Sequence, residues 1–228
     1  MITQFYFHST KIQLKKINLC LSFKNHFMKN IFKVFVFLIP MVSFSQSSFE
    51  EIIKSNQEFQ MQMNKDYADE KHSPLKEEDR LNFKSLPFFE IDTSFCVNAI
   101  FEKDKKPKAF AMKTTTDRAP IYAIYGTAYF SINEKEFELK IYQSHNLLEK
   151  EEYKNHLFLP FTDLSSGEES YGGGRFIDLL IPEGDSIIID FNKAYNPYCA
   201  YNYKYSCPIP PRANFIKIKV LAGVKSPH

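Results

Sequence analysis

The chain lacks an apolar run long enough to cross a membrane. Its best candidate, Val34 to Val42, has nine residues against the ~20 that a spanning helix needs. It also lacks a basic body. The six lysines of residues 1–45 account for the overall charge of +2, and setting them aside leaves 23 basic against 27 acidic side chains. A mildly acidic body argues against a nucleic-acid partner. Histidine is scarce and scattered: His8, His26, His72, His145, His156 and His228 form no ligand pair, so neither a metal nor another cofactor is indicated. Internal repeats and low-complexity tracts are missing too. Tryptophan is absent and glycine is limited to seven residues, whereas Phe (23) and Tyr (13) are abundant. Such aromatic enrichment suits the pleated, half-buried surface of strands. With 228 residues, the chain can bury a core that needs no metal or disulfide for basic stability.

The first 45 residues contain no Asp, Glu or Arg. From Met28 the text MKNIFKVFVFLIPMVSFSQSS reads as a secretory leader. Lys29 and Lys33 give a positive start, Val34 to Val42 the apolar stretch, and Ser43-Phe44-Ser45 the small residues before cleavage at Gln46. Residues 1–27 then precede a better start and are expected to be a mis-assigned extension. No Cys follows the cleavage point, so no lipid anchor is indicated. The expected organisation is extension 1–27, leader 28–45, helix and linker 46–72, and a β-rich domain over 73–228, located in the periplasm or outside the cell.

Ser48-Phe49-Glu50-Glu51 has the form of a capping box. Phe49, Ile52, Ile53, Phe59 and Met63 recur at helical spacing, predicting an amphipathic helix over 49–65 with Asn56 interrupting its stripe. A short helix is expected to open at Ser73-Pro74. Beyond Phe83, eight short strands are expected: 96–102, 109–115, 121–132, 137–142, 157–161, 175–181, 187–192 and 215–221. Phe137, Leu139 and Ile141 alternate with Glu138 and Lys140, as on a strand with one wet face. The predicted fold is mainly β: an antiparallel barrel or sandwich of about eight strands with an N-terminal amphipathic helix.

The stretch RFIDLLIPEGDSIIIDFN reads as a hairpin turning at Pro182 to Asp185. With Leu180 opposite Ile188, Asp178 falls across from Asp190, and paired carboxylates need a cation, an Arg or a shared proton. A slip of one residue removes that pairing. Alternation puts Arg175 on the inward face with Ile177 and Leu179. There it needs either an anionic ligand or a carboxylate such as Glu168, Glu169 or Asp163. The glycines 172–174 open onto a strand instead of a helix, which favours a bulge or close backbone approach over phosphate binding. Cys199 and Cys207, with seven residues between them, are expected to form a structural disulfide in an oxidising compartment, worth about 2–3 kcal/mol. Cys96 is expected to be a buried free thiol.

The runs FTDLSSGEESYGGGRFIDL and DFNKAYNPYCAYNYKYSCPIPPRANFIKIKVLAG, with Ser73-Pro74-Leu75 and LNFKSLPFFEID upstream, resemble an uncharacterised prokaryotic family, domain of unknown function 1684. Gly167, Glu169, Tyr171, Gly174, Arg175, Asp190, Asn192, Tyr195, Asn196, Pro197, Cys199, Cys207, Pro208, Pro211 and Asn214 fit its pattern. Ser170, Lys193 and Tyr198 depart from it, and Lys193 in place of Arg implies a weaker carboxylate contact. The resemblance implies no activity, substrate or cofactor.

Three functions follow from these residues. The first is a small-molecule or anionic ligand site built from Glu169, Tyr171, Arg175, Asp178, Asp190, Asn192, Tyr195 and Asn196. The second is acid–base catalysis by Asp or Glu beside Arg175. The third is a purely structural corner, with function carried by a partner surface. Convergence of the polar groups on an open concavity favours the first two; mutual pairing under a closed surface favours the third.

Overall fold

A computed structural model describes residues 40–227, with side chains from Phe49 onward. By its contacts the chain divides into residues 1–50 and residues 51–228. Of the first unit, the described part is the opening of helix α1 (Pro40–Ala68). The extension and most of the leader lie outside the described residues. Among the described residues, no helix is long and apolar enough to cross a membrane.

Within the described residues helix α1 runs from Pro40, ahead of Phe49, so the Ser48/Glu51 pair lies inside a helix that is already running. In the second unit the buried stripe runs through Asn56, Met63 and Tyr67, while Ile53 is exposed. Asn56, expected to interrupt the stripe, is its most deeply buried polar member. The Ser73-Pro74 segment does not open a helix. Ser73 donates its hydroxyl to the Tyr67 carbonyl (2.6 Å) and accepts from the Leu75 N–H (3.2 Å), closing the end of α1. The short helix α2 comes later, at Glu77–Leu81, with three acidic residues in its first turn where the helix dipole favours them.

Eight strands follow: β1 (Cys96–Lys103), β2 (Ala109–Ala111), β3 (Ile121–Ile132), β4 (Lys135–Ser144), β5 (His156–Asp163), β6 (Arg175–Leu180), β7 (Ser186–Asp190) and β8 (Phe215–Ile216). They form one curled sheet, a half-barrel, in the order β6-β5-β4-β3-β1-β7. Strand β2 pairs with β3 and β8 with β5. All pairs are antiparallel except β5·β8. The β3–β4 connection turns at Asn133 (φ 49°) and Glu134 (φ 62°), the two left-handed residues of a tight hairpin turn. A register shift between Ile124 and Gly126 bulges β3, and such a bulge bends its strand. A side chain at Gly126 would lie 2.5 Å from the Phe101 ring, so the glycine admits that ring to the concave side.

The concave face is filled by alternate residues of successive strands. Val97, Ala99 and Phe101 come from β1, Phe130 and Ile132 from β3, and Leu139 and Ile141 from β4. Leu157, Leu159 and Phe161 of β5, Ile177 and Leu179 of β6, and Ile187 and Ile189 of β7 complete it. Full burial of each of these side chains other than Ala99 contributes about 1.5–3 kcal/mol. A second cluster of Met112, Tyr142, Phe158 and Phe176 lies apart from this core, and Tyr122 and Tyr195 pack against it.

One expectation fails here. Strands β6 and β7 are not ladder partners: β6 pairs with β5 and β7 with β1, at opposite ends of the sheet. Asp178 therefore lies opposite Phe158, and Asp190 opposite Cys96. The carboxylate pair does not form, because the curled meander separates the two strands that the short turn joins.

Candidate functional site

Arg175 opens β6 opposite Phe161, and its side chain is fully buried with Asp163, also fully buried. One Nη donates to Asp163 Oδ2 (3.0 Å) and to the Val220 carbonyl (2.7 Å), and the other donates to the Ala222 carbonyl. The guanidinium also lies 5.3 Å from the Phe161 ring centre. Asp163 Oδ1 accepts from the Ser165 N–H (2.8 Å) and the Val220 N–H (3.1 Å). Burial pulls the Arg175 pKa down from its ordinary value, and Asp163 pulls it back up. A charge this deep is tolerated because it is paired and hydrogen-bonded. The knot joins β5, β6 and the C-terminal segment, so the carboxylate alternative read from the sequence is the one found.

The remaining expected site residues form separate groups. Asp190, at the end of β7, accepts from Asn56 Nδ2 (2.7 Å) and from both the backbone and side-chain N–H of Asn192 (3.1 and 2.9 Å). Asn192 also exchanges two bonds with the Asp92 backbone, each 2.9 Å. Lys193 donates to Ser55 (2.8 Å) instead of reaching a carboxylate. Asn196 holds Tyr201 Oη (3.1 Å) and the Lys225 carbonyl (2.8 Å). Asn214 clamps Lys140 and Pro160 through three bonds of 2.7–2.9 Å. Glu169 pairs with Lys219 at the surface, which holds its carboxyl below the usual range. These groups bind backbone and one another across chain segments. Because α1 is tied to the sheet through Asn56, Asn56→Ala is expected to destabilise by about 1–3 kcal/mol, measured as a lower urea midpoint.

Asp178 differs, with its side chain 30% exposed. It accepts from Tyr195 Oη (2.8 Å) and meets His156 Nε2 (2.8 Å). Burial and then the Asp178 charge drive the Tyr195 phenol well above its ordinary pKa. His156 Nδ1 is buried and has no hydrogen-bond partner. His156 was missed from the sequence because only the β5–β6 register, Phe158 opposite Asp178, brings it there. An open concavity of about 680 Å³ lies elsewhere, along 100–105 with Tyr129 and Asp185, and none of the eight expected residues lines it.

The expected Cys199–Cys207 disulfide is not formed: Cys96, Cys199 and Cys207 are free thiols. Cys207 is instead a hydrogen-bond partner, accepting the Cys199 N–H at its sulfur (3.2 Å). Cys199 sits in the single turn Tyr198–Ala200. Cys207 is fixed by Thr115, whose Oγ1 accepts its N–H (3.1 Å) and whose N–H donates to its carbonyl (2.9 Å). Hydrogen bonds from Cys207, Tyr171 and Thr115 bring the Cys199 thiol down to about 7, while Cys207 is pushed up. Cys96 is only half-buried, and burial raises it to about 11. Among the described residues, no group of three or more His, Cys, Asp or Glu is placed to hold a metal ion.

The architecture defines a mainly β half-barrel domain whose loops are tied down by buried polar side chains. The chain belongs to the family described as protein of unknown function DUF1684, whose model matches residues 81–225. It is also similar to an uncharacterised protein of Haloarcula marismortui solved by solution NMR. Identity is 28%, with 80% of this chain and 97% of that chain covered and a TM-score of 0.61. Among curated proteins none matches.

Proposed function

We propose that the chain is an exported framework domain that acts through its outer surface, the buried motif residues serving as internal struts. The observation that carries this reading is Arg175. Its side chain is fully buried, and Asp163 and two main-chain carbonyls occupy its two Nη groups. An anionic ligand at this place would have to displace Asp163. Asp190, Asn192 and Asn196 are likewise engaged by protein groups. Export rests on the leader at 28–45, with mature residues 46–72 and 73–228 as helix with linker and β-rich domain. Removing residues through Ser45 would leave Ser48 two residues from the new end, free to cap a shortened helix with Glu51. N-terminal sequencing of the secreted or periplasmic protein is expected to read from Gln46; a chain beginning at Met1 would refute export by this leader.

The framework reading is tested by native mass spectrometry of protein taken from its own cell envelope. An apo mass is expected. A co-purified anion that disappears from a folded Arg175→Met variant would overturn it. A second reading, a surface ligand site at His156, Asp178 and Tyr195, is favoured by the partly exposed carboxylate between a phenol and an imidazole. A ligand lost on Asp178→Asn but kept on Arg175→Met would select it.

A further inference from the structure

We propose that Cys199 and Cys207 form a redox-active dithiol that exchanges electrons with disulfides, Cys199 acting as nucleophile and Cys207 as the resolving thiol. A structural staple would require only that the sulfurs meet. Here the surroundings treat the two differently. Cys207 is buried and its backbone is held on both sides by Thr115. The next residues stay on the same edge, with the Ile209 N–H on the Lys113 carbonyl (2.9 Å). Cys199 is half-buried, in a single turn led by Pro197. Its sulfur is a hydrogen-bond partner of the Tyr171 and Thr115 hydroxyls as well as of Cys207. Hydroxyl and thiol donors around one sulfur stabilise it as thiolate, which is the reactive form. The second sulfur already accepts the Cys199 N–H at 3.2 Å.

Tyr171 reaches this place because of its neighbour. A side chain at Gly173 would fall 2.4 Å from the Tyr171 ring, so the ring folds back over bare backbone. The three-glycine run is thereby connected to the thiol pair, one glycine of it making room for a donor to Cys199.

The exchange balances as follows. The Cys199 thiolate attacks one sulfur of a substrate disulfide R–S–S–R′, the S–S bond breaks, and R′–S⁻ leaves and takes a proton. Cys207 gives up its proton and attacks the Cys199 sulfur of the mixed disulfide, releasing R–S⁻, which takes a proton in turn. Two electrons pass to the substrate, yielding two thiols and a Cys199–Cys207 disulfide. That disulfide closes a loop with seven residues inside it.

The test uses the full chain carrying Cys20→Ser and Cys96→Ser, with oxidised glutathione as probe. One thiol is expected to alkylate with an inflection near pH 7. Near pH 7 its thiolate fraction should exceed that of an ordinary thiol about fifteenfold, and its alkylation rate about three- to fourfold, since a thiolate of lower pKa is the weaker nucleophile. Glutathione disulfide should convert the protein to a form lacking two hydrogens, and dithiothreitol should reverse this without denaturant. Cys207→Ser should accumulate a glutathione adduct at Cys199, whereas Cys199→Ser should form none at Cys207. Tyr171→Phe should move the alkylation inflection to higher pH while leaving the thermal midpoint in place, a shift that a purely structural tyrosine would not produce. Two thiols titrating together in the ordinary range, or a disulfide that resists dithiothreitol in the folded protein, would overturn the proposal. The parent's loss of two hydrogens needs neither cysteine variant to fold.

Discussion

Arg175→Ala is expected to lower the stability of the domain by about 3–5 kcal/mol, the range for removing one partner of a buried ion pair. The mechanism is specific to what remains. Asp163 keeps the Ser165 and Val220 N–H donors but loses its counter-charge in a site closed to water. The Val220 and Ala222 carbonyls lose their side-chain donor as well. Against a total stability of roughly 5–15 kcal/mol for a domain, this is a large share. Urea unfolding should show a lower midpoint with an unchanged slope. The double change Arg175→Met/Asp163→Leu should recover only part of the loss: it leaves no unpaired charge, but the Ser165 and Val220 N–H groups lose their acceptor as well. A loss under about 1 kcal/mol in the single variant, the range of a surface ion pair, would refute the strut assignment.

Gly223→Ala is the second large effect, expected at roughly 3 kcal/mol or more. Gly223 has φ +79°, and an added Cβ would lie 2.4 Å from the Ala194 carbonyl oxygen and 2.9 Å from the Phe191 carbonyl oxygen. Neither is the tip of a flexible side chain; both belong to the turn after β7. That turn cannot yield freely, since Ala194 also accepts the Val224 N–H (2.9 Å) while Gly223 accepts the Phe89 N–H (2.9 Å). Gly184 supplies the control, with nothing within 4 Å of a Cβ there. Gly184→Ala should stay within about 0.5 kcal/mol of the parent. Equal losses at both positions would discard the packing explanation.

Much of the fold was legible because alternation is local. Strand β3 occupies Ile121–Ile132 as read from the sequence, and Arg175, Ile177 and Leu179 share the inward face. Pairing was not legible. Pro182 to Asp185 has the composition of a hairpin turn, yet the two strands it joins find other neighbours. That outcome depends on how far the whole sheet curls, and no window of sequence encodes it. The candidate site suffered the same way. Asn56, His156 and Asp92 approach Asp190, Asp178 and Asn192 only after register is set, and each sits in sequence far from its partner. The cysteine pair was legible as a pair, but the inference that it is bridged came from the compartment, not from geometry.

The separation of β6 from β7 bears on the route to the native state. Because β7 must pair with β1, the chain from Cys96 to Asp190 closes on itself only after the intervening strands are in place. Each of β3, β4, β5 and β6 can add to its predecessor, but β7 must find the far edge, and the entropy of closing so long a loop is spent before the contact rewards it. A pairing of such long sequence separation between β7 and β1 places this domain among slow-folding topologies. Until the end of β7 docks, Asp190 has no seat beside Cys96 and Asn56 has no completed surface to hold, so the N-terminal helix is committed late.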